Sequence, residues 1–336
     1  MSAPDAPASR RLLVVALGGT IAMTASPASH GSDGVEPRLT ARDLTAAVPE
    51  LQQVGGIESI DFRQSPGASL TIDDVAELAA RLRLEAEHGA QGIVVTQGTD
   101  TLEETAFLLD LLYQEDTPVI LTGAMRNPTL AGADGPANLL AAVRTAASPQ
   151  ARGRGVLVVF ADEIHTARHV RKVHSTSISA FASPSAGPIG HVVEGVARFH
   201  FDAGRSAGVR STFRRPAEVE LIEVSLGSGG VLLDGLDEKV DGLVVAAFGA
   251  GHLPAAWVSR VEKIAAHIPV VLSTRTNAGS VLRSTYTFPG SERDLLSRGV
   301  IRGGSLDARK ARLLLLAHLR AGSDQDAIVR AFAPYC

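Results

Sequence analysis

Leu17-Gly18-Gly19-Thr20-Ile21-Ala22 closes an apolar run that begins at Leu12, and Gly92-Ile93-Val94-Val95-Thr96-Gln97-Gly98-Thr99-Asp100-Thr101 contains a second such run with a similar ending. Each run is short and apolar throughout, the pattern of a parallel strand covered on both faces. Each then passes through glycine to a threonine, where backbone and a hydroxyl can approach a small ligand with no β-carbon in the way. Two such threonines point to one pocket.

Outward from these stretches, short Val/Ile/Leu runs alternate with longer Ala/Leu/Arg-rich segments, the pattern of parallel strands joined by crossover helices. The fold class read from it is α/β. Strands are expected at 12–17, 93–96, 119–122, 156–160, 243–247 and 270–273, and helices at 73–87, 102–113, 136–147, 254–266 and 307–321. A polar, arginine-rich stretch with Gly204, Gly208, Ser206 and Ser211 has no clear period and reads as a linker. The expected organisation is a domain over 1–203, a linker over 204–218 and a second domain over 219–336.

The chain has 336 residues, of which 45% are hydrophobic and 20% charged, with a formal net charge of -4. Such a chain builds a large core with room for two domains and offers no basic surface for nucleic acid. Its one cysteine is the last residue, Cys336, which excludes an intramolecular disulfide and a thiolate metal cluster. Met1-Ser2-Ala3-Pro4-Asp5-Ala6-Pro7-Ala8-Ser9 lacks a basic start followed by an apolar core, and no later run approaches the length of a membrane span. The expected compartment is the cytoplasm.

Gly18 and Gly19 remove side chains at the carboxyl end of the first expected strand, which is where open α/β sheets bind ligands. A dinucleotide fingerprint does not fit, because the third glycine of that spacing is missing. In the second stretch, Thr101-Leu102-Glu103-Glu104 matches a capping box, so Thr99 and Asp100 are expected just before a helix N-terminus. A carboxylate there can hold an ammonium, and a hydroxyl can attack or polarise a carbonyl. The same residue types are favoured at strand ends and helix starts for structural reasons alone. A threonine nucleophile needs a base, and Lys172, one of few lysines, lies beyond the strand at 156–160 with Arg168 and Arg171 near it. A solvated basic loop has the same composition.

These stretches closely resemble the two signature motifs of the bacterial-type L-asparaginases, the asparaginase/glutaminase family. Leu121-Thr122-Gly123-Ala124-Met125-Arg126 with Ala133-Asp134-Gly135-Pro136-Ala137-Asn138-Leu139 is similar to a third block, and Val170-Arg171-Lys172-Val173-His174-Ser175-Thr176 to the segment carrying the family's lysine. Gly249-Ala250-Gly251-His252, Ser273-Thr274-Arg275 and Leu306-Asp307-Ala308-Arg309-Lys310-Ala311-Arg312 extend the resemblance over essentially the whole chain.

The resemblance implies a larger N-terminal domain with a flavodoxin-like parallel sheet and a smaller C-terminal α/β domain. It also implies a homotetramer of intimate dimers, each site lying between the N-terminal domain of one subunit and the C-terminal domain of its neighbour. It assigns Thr20 as nucleophile of an acyl-enzyme that hydrolyses asparagine to aspartate and ammonia, with no cofactor and no metal. Thr99, Lys172 and Asp100 become the supporting triad, and Asp100 also binds the substrate ammonium. The backbone of Thr99 and Gly19 becomes the oxyanion site, and Ala124 offers its carbonyl to the amide.

This chain departs from the family pattern at several positions. The loop after Thr20 often carries a tyrosine, but 21–45 contains none, which leaves His30 as the candidate relay in a loop (22–38) expected to act as a lid. Gly67 and Ala68 stand where the family holds the substrate carboxylate with a serine and a glutamine or glutamate, and Ser69 is the nearest alternative hydroxyl. His252 and roughly Tyr286 stand where some members carry an asparagine and a glutamate facing the neighbouring subunit's site. The amidase subunit of a tRNA-dependent amidotransferase shares the motifs, but the first strand near Leu12 leaves no room for the extra N-terminal domain such subunits carry. A non-catalytic amino-acid sensor on this fold is the other alternative, and the intact Thr20, Thr99, Asp100 and Lys172 speak against it. No nucleic-acid or membrane partner is expected.

Overall fold

The first apolar run folds as β1 (Arg11–Ala16), buried at every position after Arg11. The structure, a computed structural model, describes residues 11–25, 35–209 and 213–336. The chain divides between Gly208 and Val209 into two compact units.

In the first unit, β1 is followed by a ribbon of β2 (Met23–Ala25) and β3 (Val35–Pro37), then α1 (Ala41–Ala46), β4 (Gly56–Asp61), α2 (Ile72–Glu87), β5 (Gly92–Thr96) and α3 (Leu102–Leu112). The chain continues through β6 (Val119–Thr122), α4 (Gly135–Ala146), β7 (Val156–Phe160) and β8 (Glu163–Thr166) to a second ribbon of β9 (Arg171–Lys172) and β10 (Phe181–Ala182), then β11 (Gly190–Val193) and β12 (Val196–Phe199). An eight-stranded sheet runs in the order β12-β11-β8-β7-β6-β5-β1-β4. The strands from β4 to β7 are parallel, whereas β8, β11 and β12 extend the sheet antiparallel. The parallel part has the doubly wound, flavodoxin-like order, in which chain direction across the sheet reverses between β1 and β5. Ligands bind beyond the strand ends at such a switch point.

The second unit is built on a parallel sheet, β13 (Val219–Glu223), β14 (Gly242–Ala247), β15 (Val270–Thr274) and β16 (Ile301–Arg302), in that order. Helices α5 (Ala255–Ala265), α6 (Glu292–Ser297), α7 (Ala308–Ala321) and α8 (Gln325–Phe332) complete it. Its core gathers around buried Trp257, whose indole N–H donates to the Ser228 carbonyl at 2.9 Å. Among the described residues no helix is long and apolar enough to cross a membrane.

Every expected strand and helix is present, with ends within a residue of those read from the periodicity. The edge strand β4 and the antiparallel strands β8, β11 and β12 have no counterpart in that reading, because polar residues break the apolar run, on partly exposed positions in β4, β11 and β12 and at buried His165 and Thr166 in β8. The stretch read as a linker from Gly204 begins on the first unit: the Arg205 guanidinium donates to the carbonyls of Gln114 and Tyr113 at 3.0 and 3.1 Å, and Ser206 is buried.

The site-bearing helix α3 is tied to β7 by Asp110, whose buried carboxylate accepts the Val156 N–H at 2.8 Å. Burial pushes this carboxyl above its ordinary value. A raised carboxyl contributes most to stability below its unfolded pKa of about 3.9 and loses that contribution as pH rises through the folded value. Asp110→Asn keeps an acceptor for Val156 and does not ionise. Thermal denaturation from pH 4 to 8 should therefore show the variant gaining on the wild type as pH rises, while Asp110→Ala is less stable throughout by about 1–3 kcal/mol.

Candidate active site

The ladder between β1 and β5 continues past their ends, with the Leu17 N–H donating to Thr96 O at 2.9 Å. There Gly18 and Gly19 adopt φ of +95° and +87°. A β-carbon built on Gly19 would lie 2.1 Å from Gly98 N and 2.2 Å from Gly98 Cα, and one on Gly18 would lie 2.8 Å from the Ser65 backbone. Glycine is thus required at both positions, by backbone conformation and by space. Thr20 opens a single 3-10 turn, Thr20–Ala22, closed by the Ala22 N–H to Gly19 O at 2.9 Å, and is half-buried. The first threonine is carried directly against the loop that carries the second.

Thr99, buried, and Asp100, exposed, immediately precede α3, whose N-terminus favours negative charge. Lys172 Nζ lies 3.0 Å from Thr99 Oγ1 and 2.9 Å from Asp100 Oδ1. Its side chain is only 16% exposed while that of Asp100 is 68% exposed, so the amine bridges from an interior hydroxyl to a carboxylate open to solvent. The segment read as compatible with a basic surface loop is the short strand β9, with its lysine turned inward.

A third wall is formed by Gly67, Ala68 and Ser69, a 3-10 turn in which Gly67 is buried and the other two are exposed. A β-carbon on Gly67 would lie 3.0 Å from Gly98 O. Thr101 stands at the helix N-cap, but the capping box does not form. Its hydroxyl donates to Gly67 O at 2.8 Å and accepts from Gln97 Nε2 at 3.0 Å, so it ties two site loops together in place of capping α3.

The fourth wall is Gly123-Ala124, where a β-carbon on Gly123 would lie 2.5 Å from Gln97 O and 3.4 Å from Thr99 Cγ2. Ala124 is fully buried. Asp134 accepts the N–H groups of Met125 and Arg126 at 2.8–3.1 Å, and Asn138 donates to Gly123 O at 3.0 Å while accepting the Ala161 N–H at 3.0 Å. His30 lies outside the described residues, as does 26–34 of the loop expected to form a lid. In the second unit His252 Nε2 lies 3.3 Å from buried Glu292 and packs edge-on against Tyr286. Among the described residues no group of three or more His, Cys, Asp or Glu side chains is arranged to hold a metal.

The family profile for the N-terminal domain of asparaginase matches residues 11–204, and that for the glutaminase/asparaginase C-terminal domain matches residues 218–332. The chain belongs to the asparaginase family. It is 39% identical to a probable L-asparaginase of Deinococcus radiodurans, covering 96% of this chain and 97% of that one. It is 30% identical to a glutaminase-asparaginase of Pseudomonas fluorescens biotype A, with 96% and 90% covered. A crystal structure of a probable cytoplasmic L-asparaginase from Campylobacter jejuni superposes with a TM-score of 0.85 at 30% identity, covering 96% of this chain and 99% of that one.

Four residues that lie inside the quoted motifs received no role from them: Gln97, Glu103, Asp134 and Asn138 all hold site loops through side-chain hydrogen bonds. The i, i+4 spacing of Asp134 and Asn138 at an expected helix start is the one signal that marks a pair of them. Gly19→Ala should force the Thr20 and Thr99 loops apart and lower kcat/KM for asparagine by at least about 10²-fold, since misplacement of about 1 Å has that effect. Initial rates alongside circular dichroism check this; near-normal rates would show that the Gly19–Gly98 approach is dispensable.

Proposed function

We propose that this chain hydrolyses L-asparagine to L-aspartate and ammonia by double displacement at Thr20. The observation that carries the reading is the Thr99–Lys172–Asp100 constellation, with Lys172 Nζ 3.0 and 2.9 Å from its partners, at the sheet's switch point beside Thr20. The family membership supports it.

In the first half-reaction Thr20 Oγ attacks the side-chain amide carbon, the hydroxyl proton passes to the departing nitrogen, and the C–N bond breaks to release ammonia. The acyl-enzyme is an ester of Thr20. Water, its proton accepted through Thr99 and Lys172, then attacks the ester carbon; the C–O bond breaks, aspartate leaves and Thr20 regains its proton. The N–H groups of Thr99 and Gly19 receive the oxyanion of each tetrahedral intermediate. Asp100, exposed at the helix start, holds the α-ammonium; Gly67, Ala68 and Ser69 hold the α-carboxylate; the Ala124 carbonyl accepts from the amide. His30 is kept as the relay for the Thr20 proton under a lid over 22–38. The chemistry calls on side chains, backbone and water, with no cofactor and no metal.

The reading extends to a cytoplasmic homotetramer of intimate dimers, with 1–203 and 219–336 as domains joined by 204–218. Glutamine is proposed as a secondary substrate, in keeping with the relative from Pseudomonas fluorescens. Neither nucleic acid nor membrane is a partner.

Thr20→Ala, Thr99→Val and Lys172→Met should each lower ammonia release from free asparagine by about 10³-fold or more, with circular dichroism unchanged, because loss of a nucleophile or its proton carrier has effects of that order. Retention of more than about a tenth of wild-type kcat in the two threonine variants would remove the threonine mechanism. No turnover of free asparagine by the wild type would favour the amidotransferase subunit or the sensor.

A further inference from the structure

We infer that Glu103 is the positioning residue that sets where Lys172 stands, an inference that rests on the reading of Lys172 as proton carrier. Lys172 is in the two-residue strand β9, which pairs only with β10 and is no part of the eight-stranded sheet. The sheet therefore does not dictate its position. Within the ribbon Lys172 stands opposite Phe181, and the next residue, Val173, donates its N–H to Ala180 O at 2.7 Å. The Lys172 N–H itself leaves the ribbon and donates to Glu103 Oε2 at 2.5 Å.

Glu103 is 2% exposed and sits in the first turn of α3, three residues after Asp100. The loop before α3 and the helix's first turn thus grip the lysine at both ends: Glu103 takes the main-chain N–H, and Thr99 and Asp100 take Nζ. A carboxylate accepting an N–H makes a shorter and stronger bond than a neutral acceptor, and the α3 N-terminus stabilises its charge. Elsewhere the ribbon is held at its start by the Val170 N–H, which donates to Thr166 O at 3.1 Å, and by the Phe181 ring, 4.8 Å from Phe160, an apolar contact that tolerates sliding. A lysine on a flexible four-carbon stem keeps two contacts near 3 Å only if its Cα is held, so the clamp on its main chain is what makes the side-chain geometry reproducible.

The test compares Glu103→Ala, Glu103→Gln and Glu103→Asp with Lys172→Met, measuring kcat, KM and the pH profile of ammonia release together with Tm. Glu103→Ala should lower kcat about 10–100-fold with KM within about threefold, and displace the limb of the pH profile that Lys172→Met removes. Glu103→Gln, which keeps an acceptor at the same reach, should restore kcat to within about threefold of wild type. Glu103→Asp withdraws the acceptor by about 1.5 Å and should fall between them, and it carries the test if the alanine variant does not fold. A lowered Tm with kcat per folded enzyme and pH profile unchanged would overturn the proposal, as would equal loss in the glutamine and alanine variants. An active Lys172→Met would overturn the reading of Lys172 itself, whereas an inactive Lys172→Met beside a normal Glu103→Ala would overturn only the role of Glu103.

Discussion

Where β1 and β5 part, the backbones of Gly19 and Gly98 approach closer than any side chain permits, and the geometry of the site depends on that contact. Parallel strands wound in opposite directions from a common centre leave a crevice at their carboxyl ends, because the crossover helices cover opposite faces. In this chain the crevice floor is main chain alone. Thr20 emerges from one side and Thr99 from the other, so the relative position of the two hydroxyl-bearing loops follows from sheet pairing.

That floor sets a gradient of polarity. Thr99 is buried among strand ends and Asp100, one residue later, is exposed, so a group that bridges them connects interior and solvent. An apolar side chain has no bonding role there and a short polar one does not reach from a neighbouring element. Lysine fits because its long apolar stem can be buried while the amine makes polar contacts. Most polar groups in the walls around it have partners, since a buried polar atom without one is costly; Thr96 Oγ1 and Gln97 Oε1 are buried without one among the described residues. Thr101 illustrates the compromise: its hydroxyl serves Gly67 and Gln97 across the site and leaves the helix N-terminus without the side-chain cap its sequence advertises.

Much of the fold was legible in one dimension because a strand covered on both faces has to be apolar along its length, so β1, β5, β6, β7, β14 and β15 announce themselves. The edge strand β4 does not, since half of its environment is water. Residues 99 and 100 were legible as loop residues at a helix start, but nothing in the spacing of 99 and 172 foretells that they meet; the resemblance to a family suggested it, and the 3.0 Å contact has its origin in a ribbon too short to show a period. The capping box was misread for a related reason. A motif reports which bonds a segment can make alone, and Thr101 is claimed by Gly67, far away in sequence.

The same device recurs within each unit. Asp134 at the N-cap of α4 accepts the N–H groups of Met125 and Arg126, Glu103 in the first turn of α3 accepts that of Lys172, and Glu292 opening α6 accepts those of Thr285 and Tyr286. In each case the carboxylate belongs to a helix start, where the macrodipole favours its charge, and its donor belongs to a segment outside the main sheets. A loop with no ladder of its own has unsatisfied N–H groups that a charged acceptor binds more strongly than water does in a low-dielectric setting. The helix gains a stabilised terminus and the loop a fixed address. Rigid elements thereby impose their precision on irregular segments, and in the first unit it is irregular segments, the one carrying Ala124 and the ribbon of Lys172, that line the walls where a small polar ligand has to be oriented.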